Sequence, residues 1–445
     1  MRSLRPSWLT WTLALACAGA CRGTGRHDGT ATPSSPPEPS APSEPLTSGM
    51  LDFVCEPLEA GPLSVPAPWL VVDPAYEAYV EWLDSTPLRE GRPETLVDDL
   101  TVFDGSLYIG LGDYTFNVGS RYCVALGGAC PQEDADGHGM PLYRLDPGSS
   151  TVAIERVLHE EEIGSFRRTA ELLMVPGWDA TLGDGPPPCS EDDARVPCPE
   201  ELAYEYPRFK RSETHLRRGD AWLPESELDL GIHVFDHAVV DGALYAAGSI
   251  DLFPDTSAFA AVWRSDDVGS TWDLVFSDEH EEEAFRRMTA LVPLGDSIVA
   301  LGYHGADERN VRFELRDGVW RALPDLLPDL EGFVSSELVD DDLAFVWEAG
   351  AGAAAALRPG DDGPVAVPMT FFALRGLEVV DAYVVCRGDL LVLSREGRDT
   401  WHVHRTSDLE RFRPLVTFEQ PDELSAIAAW DGGVVYGGED GMLHR

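Results

Sequence analysis

Ala238-Val239-Val240-Asp241-Gly242-Ala243-Leu244-Tyr245-Ala246-Ala247-Gly248 is two apolar runs joined by Asp-Gly. Asp-Gly between apolar runs is the strongest short-range signal for a two-residue β-hairpin. The pattern recurs as Leu100–Gly110 around Asp104-Gly105 and as Ile427–Gly437 around Asp431-Gly432. Looser copies turn at Gly295-Asp296, Asp340-Asp341-Asp342 and Gly388-Asp389, and a turnless copy runs through Leu172–Gly177. One reference residue per copy (Val102, Ala170, Ala238, Ala290, Glu337, Val380, Ile427) gives steps of 68, 68, 52, 47, 43 and 47 residues. A blade of four antiparallel strands takes about 40–50 residues, so the repeat predicts an all-β propeller. Seven blades are expected, with six left open because the unit at Phe166–Trp222 is irregular. Insertions at Phe116–Met140 and Ala180–Tyr204 account for the two long steps. Later turns at Asp146-Pro147-Gly148, Asp267-Val268-Gly269, Asp317-Gly318 and Gly360–Gly363 fit third-to-fourth strand connections. The last unit, Leu424–Arg445, is too short for four strands, and Trp69-Leu70-Val71-Val72 is expected to close the ring. Short helices are expected at Tyr76–Trp82 and Glu281–Arg286.

The first residues read as an export signal. Met1–Arg5 is basic, Trp8–Ala16 is apolar but too short to span a bilayer, and Ala18-Gly19-Ala20 is a small-residue cleavage site. Residues 1–20 are therefore read as a signal peptide. Cys21 follows the cut and resembles the modified cysteine of a bacterial lipobox, although Ala18 stands where Leu is usual. Residues 21–50, rich in Ser, Thr, Pro and Gly, read as a lipidated cysteine followed by a solvated tether. Residues 51–445 read as the propeller domain. The resulting expectation is an exported, lipid-anchored monomer in the periplasm or on the cell surface.

There are 33 basic and 78 acidic residues, a formal charge of −45. Such a surface repels phosphate backbones, anionic lipid and polyanionic glycans, so nucleic acid is excluded as a partner. Six cysteines follow Cys21, and an even count behind an export signal suggests disulfides. Cys123 with Cys130 and Cys189 with Cys198 bracket short polar loops and read as local pairs. Cys55 and Cys386 remain, and could tie the N-terminal segment to the body. No C-x-x-C pair supports a zinc site, and no metal-ligand set is assigned.

Ser265-Asp266-Asp267-Val268-Gly269-Ser270-Thr271-Trp272 reads S-x-D-x-G-x-T-W. It resembles the Asp box of the BNR-repeat, sialidase-like propellers, with a degenerate second copy at Thr406-Ser407-Asp408 and Phe412. The resemblance makes Ser265, Asp267, Gly269, Thr271 and Trp272 a turn device on the third-to-fourth strand connection, away from the active face. A sialidase would also need an Arg triad and an Arg-Ile-Pro segment, and Phe166-Arg167-Arg168 does not match the latter.

Three further segments resemble an uncharacterised set of bacterial BNR-like propellers. They are Gly112–Gly119 (G-D-x-x-x-N-x-G), Pro176-Gly177-Trp178-Asp179 and His233-Val234-Phe235-Asp236 (H-V-x-D). Propeller topology sends Asp113, Asn117, Trp178, Asp179, His233 and Asp236 to one rim of the central channel, opposite the Asp box, with Asp251 and His304 as further members. Three carboxylates, an imidazole and an amide could hold a cation, Ca2+ being the candidate, or do acid–base work. The acidic loop Glu133–Gly137 lacks the closing Glu of a calcium-binding loop, Tyr143 standing there. His159–Glu162 and His280–Glu283 lack the second His of a zinc-protease helix and read as charge runs. The expected function is a binding or assembly scaffold that takes a protein or glycan on its top face. The alternative is a glycan-active hydrolase or lyase.

Overall fold

The structure, a computed structural model, describes residues 46–47, 49–55, 58, 68–69 and 96–445, apart from 113–139, 150, 159, 161–162, 178–211, 252–257, 279–285, 305–308, 324–325, 328–329, 331, 422 and 439–442. Seven antiparallel sheets form the ring. Their innermost strands are Leu96–Phe103, Arg167–Arg168, Gly231–Val240, Arg286–Leu294, Val334–Asp340, Leu377–Cys386 and Leu424–Trp430, which begin blades 1 to 7. The irregular unit is a complete blade, which removes the six-bladed alternative. Its short inner strand pairs with Leu172–Pro176, then Glu213–Arg218, with Ser226–Glu227 and Ala221–Trp222 on the outside. Ala170, the reference residue of that unit, falls in the turn and not on the strand.

Blade 7 is closed from the other end of the chain. Pro68–Trp69 pairs with Leu443–His444, so the N-terminal segment supplies the fourth strand. Leu70–Val72 lie outside the described residues, as does the helix expected at Tyr76–Trp82. Residues 281–285 are also outside them, and Arg286 opens a strand. The described helix is instead Thr370–Ala373. Among the described residues no helix is long and apolar enough to cross a membrane.

Local chemistry explains the hairpins. Asp104, Asp241 and Asp431 have φ of 51°, 51° and 48°, and the following glycines 76°, 77° and 77°. A two-residue turn that matches strand twist needs positive φ at both central positions, and Asp-Gly tolerates it best. The sheets then bury both faces against their neighbours. Trp263, Trp401 and Trp430 are fully buried, and each indole N–H donates to a backbone carbonyl, of Asp229, Gln420 and Gly105 respectively. The last bond joins blade 7 to blade 1.

Inner strands are clasped to one another by polar side chains at β-bulges. Asp99 accepts the N–H of Phe166 at 2.6 Å, Asp236 that of Leu291 at 2.7 Å, and Asp381 that of Ile427 at 2.8 Å. Thr289 donates to the carbonyl of Val334 at 3.1 Å, and Ser425 to that of Val97. Each bond runs from one blade to the next. A bulge leaves the ladder locally unpaired, and these side chains satisfy the freed backbone groups of the neighbour.

Residues 46–47 and 49–55 lie across the end of the ring that carries the first-to-second strand turns. Leu46 is buried among Leu172, Met174, Leu216, Val239, Leu244 and Val268. Leu51 packs with Phe345, Trp347 and Val379, and Cys55 is disulfide-bonded to Cys386. Arg168 stacks on Phe53 and Tyr383 and donates to the carbonyls of Val102 and Val384. The strap thus covers that mouth of the channel, where Met50, Leu51 and Phe53 meet Arg167, Arg168 and Glu337.

Candidate functional site

The turn at Ser265–Trp272 forms as a closed hydrogen-bond set. Asp267 Oδ1 accepts the Thr271 N–H and the Ser265 hydroxyl, each at 2.8 Å, and Oδ2 accepts the Thr271 hydroxyl at 2.8 Å. The Gly269 N–H donates to Ser265 Oγ at 2.8 Å with φ at +80°, and Trp272 Nε1 donates to Ser226 Oγ at 3.0 Å. Burial works against the Asp267 charge, but the Thr271 and Ser265 donors hold its pKa below the usual range. At the second segment Asp408 accepts the N–H groups of Glu410 and Arg411, and Phe412 stacks on Phe371. Both are turn devices at the strapped end of the ring.

Of the expected rim residues, Asp113, Asn117, Trp178 and Asp179 lie outside the described residues, as do Cys123, Cys130, Cys189, Cys198 and Cys21. The strands before them end at Gly112 and Pro176, at one end of the ring, as do Asp251 and His304. His233 and Asp236 are described, and neither faces an open mouth. His233 is buried, stacked on Phe235, with Arg287 at 3.5 Å from its Nε2. Asp236 is 1% exposed. Its Oδ1 accepts the His237 N–H at 2.8 Å and Arg167 Nε at 2.6 Å, while Oδ2 accepts Leu291 N–H and Arg167 Nη2 at 3.2 Å. That carboxylate is fully committed to the ring. Arg167 also reaches Glu337 at 2.6 Å and the Ser336 carbonyl at 2.8 Å. Burial raises the pKa of Glu337, Asp99 and Asp381, the last to about 8. The axis is thus an acidic, desolvated clasp centred on Arg167.

A second cluster sits at the other end of blade 2, where Leu172–Pro176 ends and Glu213–Arg218 begins. Glu213, His215 and Arg217 alternate on that strand and so share one face. Glu225 comes from just before the neighbouring outer strand, whose register puts Ser226 opposite Thr214. One ligating atom each from Glu213, His215 and Glu225 lies within 4.8 Å of the others. His215 Nε2 is 3.1 Å from Glu160 Oε1, and Nδ1 is 3.6 Å from Glu225 Oε1. The side chains of His215 and Glu160 are 0% and 1% exposed, that of Glu225 is 23%. Arg156 from blade 1 pairs with Glu225. Burial alone would drive the His215 imidazole neutral, but the Glu160 carboxylate bonded to Nε2 and the Glu225 carboxylate beside Nδ1 prevail and push its pKa up to about 9.

This arrangement could coordinate a divalent cation, which the sequence alone does not indicate. Glu160 is not part of a solvated charge run: it is buried and bonded to His215, 55 residues away. The legible signal was Glu213-Thr214-His215, titratable groups at alternate positions of a buried strand.

No protein-family model matches the sequence, and no curated protein matches it. Among solved structures, YCF48 bound to D1 peptide is similar at 12% identity and TM-score 0.43, covering 88% of this chain and 99% of its own. A Pseudomonas aeruginosa periplasmic gluconolactonase is similar at 15% identity and TM-score 0.43, covering 67% and 85%. A catalytically inactive virginiamycin B lyase from Staphylococcus aureus, with quinupristin, is similar at 9% identity and TM-score 0.43, covering 79% and 94%.

Proposed function

We propose that this protein is a cation-assisted hydrolase or lyase that works outside the cytoplasm on an uncharged or cationic glycan at the unstrapped end of blade 2. One observation carries the reading: a buried histidine with a carboxylate at each ring nitrogen and a third carboxylate within reach. Three protein ligands leave a coordination position for water or substrate, and a bound cation lowers the pKa of that water. Glu225, the most exposed member, marks the side from which substrate arrives. The nitrogen donor favours a borderline ion such as Zn2+ or Mn2+ over Ca2+, which prefers an all-oxygen shell. The charge of −45 selects against polyanionic substrates. The Cys55–Cys386 disulfide supports an oxidising compartment, and the Asp-box turn supports kinship with BNR-repeat propellers.

The test is metal content of the purified exported domain, followed by turnover on a panel of neutral glycans by wild type, Glu213→Gln and His215→Ala. About one divalent ion per chain, with turnover lost in both variants, is expected. A metal-free, inactive wild type would overturn the reading. The scaffold reading draws on the commitment of Asp99, Asp236 and Asp381 to backbone clasps, and predicts ligand capture without turnover.

A further inference from the structure

We infer that Glu160 is the positioning residue of this metal site, and that Gly177 of the Pro176-Gly177-Trp178-Asp179 segment is there to admit it. The inference rests on the cation reading above. Glu160 lies two residues past the last strand of blade 1, yet its carboxylate is buried inside blade 2 against His215 Nε2 at 3.1 Å. The space it uses exists because Gly177 has no side chain. A Cβ there would sit 2.4 Å from Glu160 Oε1, 2.5 Å from its Cδ and 2.6 Å from the Glu213 carbonyl oxygen. The φ of Gly177 is not in the left-handed region, so the glycine serves close approach and not a turn. The Gly177 carbonyl in turn accepts the Val234 N–H at 2.7 Å, which fixes the slot against blade 3.

The chemical consequence concerns the imidazole's two nitrogens. A carboxylate on Nε2 places the proton there and leaves the Nδ1 lone pair for a cation. His215 Nδ1 is buried, makes no hydrogen bond, and is on the side of Glu225. Glu160, His215 and the cation position therefore form a carboxylate–histidine–metal relay, in which Glu160 orients the ring and raises its basicity without touching the ion. Glu213 and Glu225 supply the oxygen ligands.

The experiment uses the full exported chain, stripped with a chelator and reloaded with Co2+ or Zn2+. Affinity is read by calorimetry and ligand geometry by the visible absorption of Co2+. Glu160→Ala should weaken binding about 10–100-fold and shift the Co2+ bands. Glu160→Gln, whose amide oxygen still accepts the Nε2–H but carries no charge, should lie between it and wild type. Should the alanine variant fail to fold, the near-isosteric glutamine variant decides alone. Wild-type affinity and an unchanged spectrum in Glu160→Gln and Glu160→Ala, with binding lost in Glu213→Gln, would overturn this inference and leave the metal site standing. A wild type that takes up neither ion would overturn both.

Discussion

Replacing Asp236 with Asn separates a ligand residue from a ring clasp. The carboxylate holds Arg167 in a bidentate pair at 2.6 and 3.2 Å, with side chains 2% and 14% exposed, and also accepts two backbone N–H groups. Breaking a buried ion pair costs about 3–5 kcal/mol. The low end applies, because Arg167 keeps Glu337 at 2.6 Å. Asn offers one acceptor oxygen where two were used, so one of the His237 and Leu291 N–H groups is left unpaired, at about 1 kcal/mol or more. The sum is a loss of ~4 kcal/mol, measurable as a lower midpoint in equilibrium urea unfolding. Metal binding by the folded variant should match wild type, since Asp236 is no member of the Glu213–His215–Glu225 group. A variant within ~1 kcal/mol of wild type that has lost ligand or metal binding would refute the clasp assignment.

Four more outcomes are expected. In metal-free protein, His215, which burial would lower but Glu160 and Glu225 push up to about 9, and Asp381, raised by burial to about 8, both hold a proton more tightly when folded. Their stabilisation is full below the unfolded pKa values, about 6.5 and 3.9, and is lost as pH rises through the folded ones, so urea midpoints should fall from pH 6 to pH 9 and His215→Gln should flatten the upper part; a rising midpoint contradicts this. Asp267→Ala opens the Ser265–Trp272 turn and should cost about 1–2 kcal/mol by thermal unfolding with metal uptake unchanged. Cys386→Ser frees the strap from blade 6 and should cost about 2–4 kcal/mol, with faster proteolysis before residue 55 as the readout, while peptide mapping should find Cys123–Cys130 and Cys189–Cys198 paired. Cys21→Ala should release the domain from membranes without changing its unfolding midpoint, and a wild type that is already fully soluble would end the lipoprotein expectation.

The fold was legible because its information is local and repeated. Asp241-Gly242 needs only its own backbone to become a turn, and the same phrase at 43–68 residue steps needs only counting. The closing strand was legible in the shortness of the last unit, and the structure pairs Pro68–Trp69 there. A polar residue five to seven places ahead of the turn, at Asp99, Asp236, Thr289, Asp381 and Ser425, was equally readable as a repeat. It marks the blade-to-blade clasp, and reading Asp236 within H-V-x-D alone concealed it.

What only the tertiary structure decided is which charges leave the water. Glu160 stands in a run of acidic residues with nothing local to distinguish it from Glu161, and its burial depends on a glycine 17 residues later and a histidine 55 residues later. Pairing of that kind is set by how blade 1 packs on blade 2, and no periodicity along one strand encodes it. The sequence by itself determined the turns, the repeat, the blade count to within one and the acidic surface, because each follows from short-range backbone preference or from composition. The interblade contacts determined the carboxylate at each nitrogen of His215, the Arg167 clasp on the axis and the strap over one mouth, because desolvation and ion pairing arise only where distant segments meet.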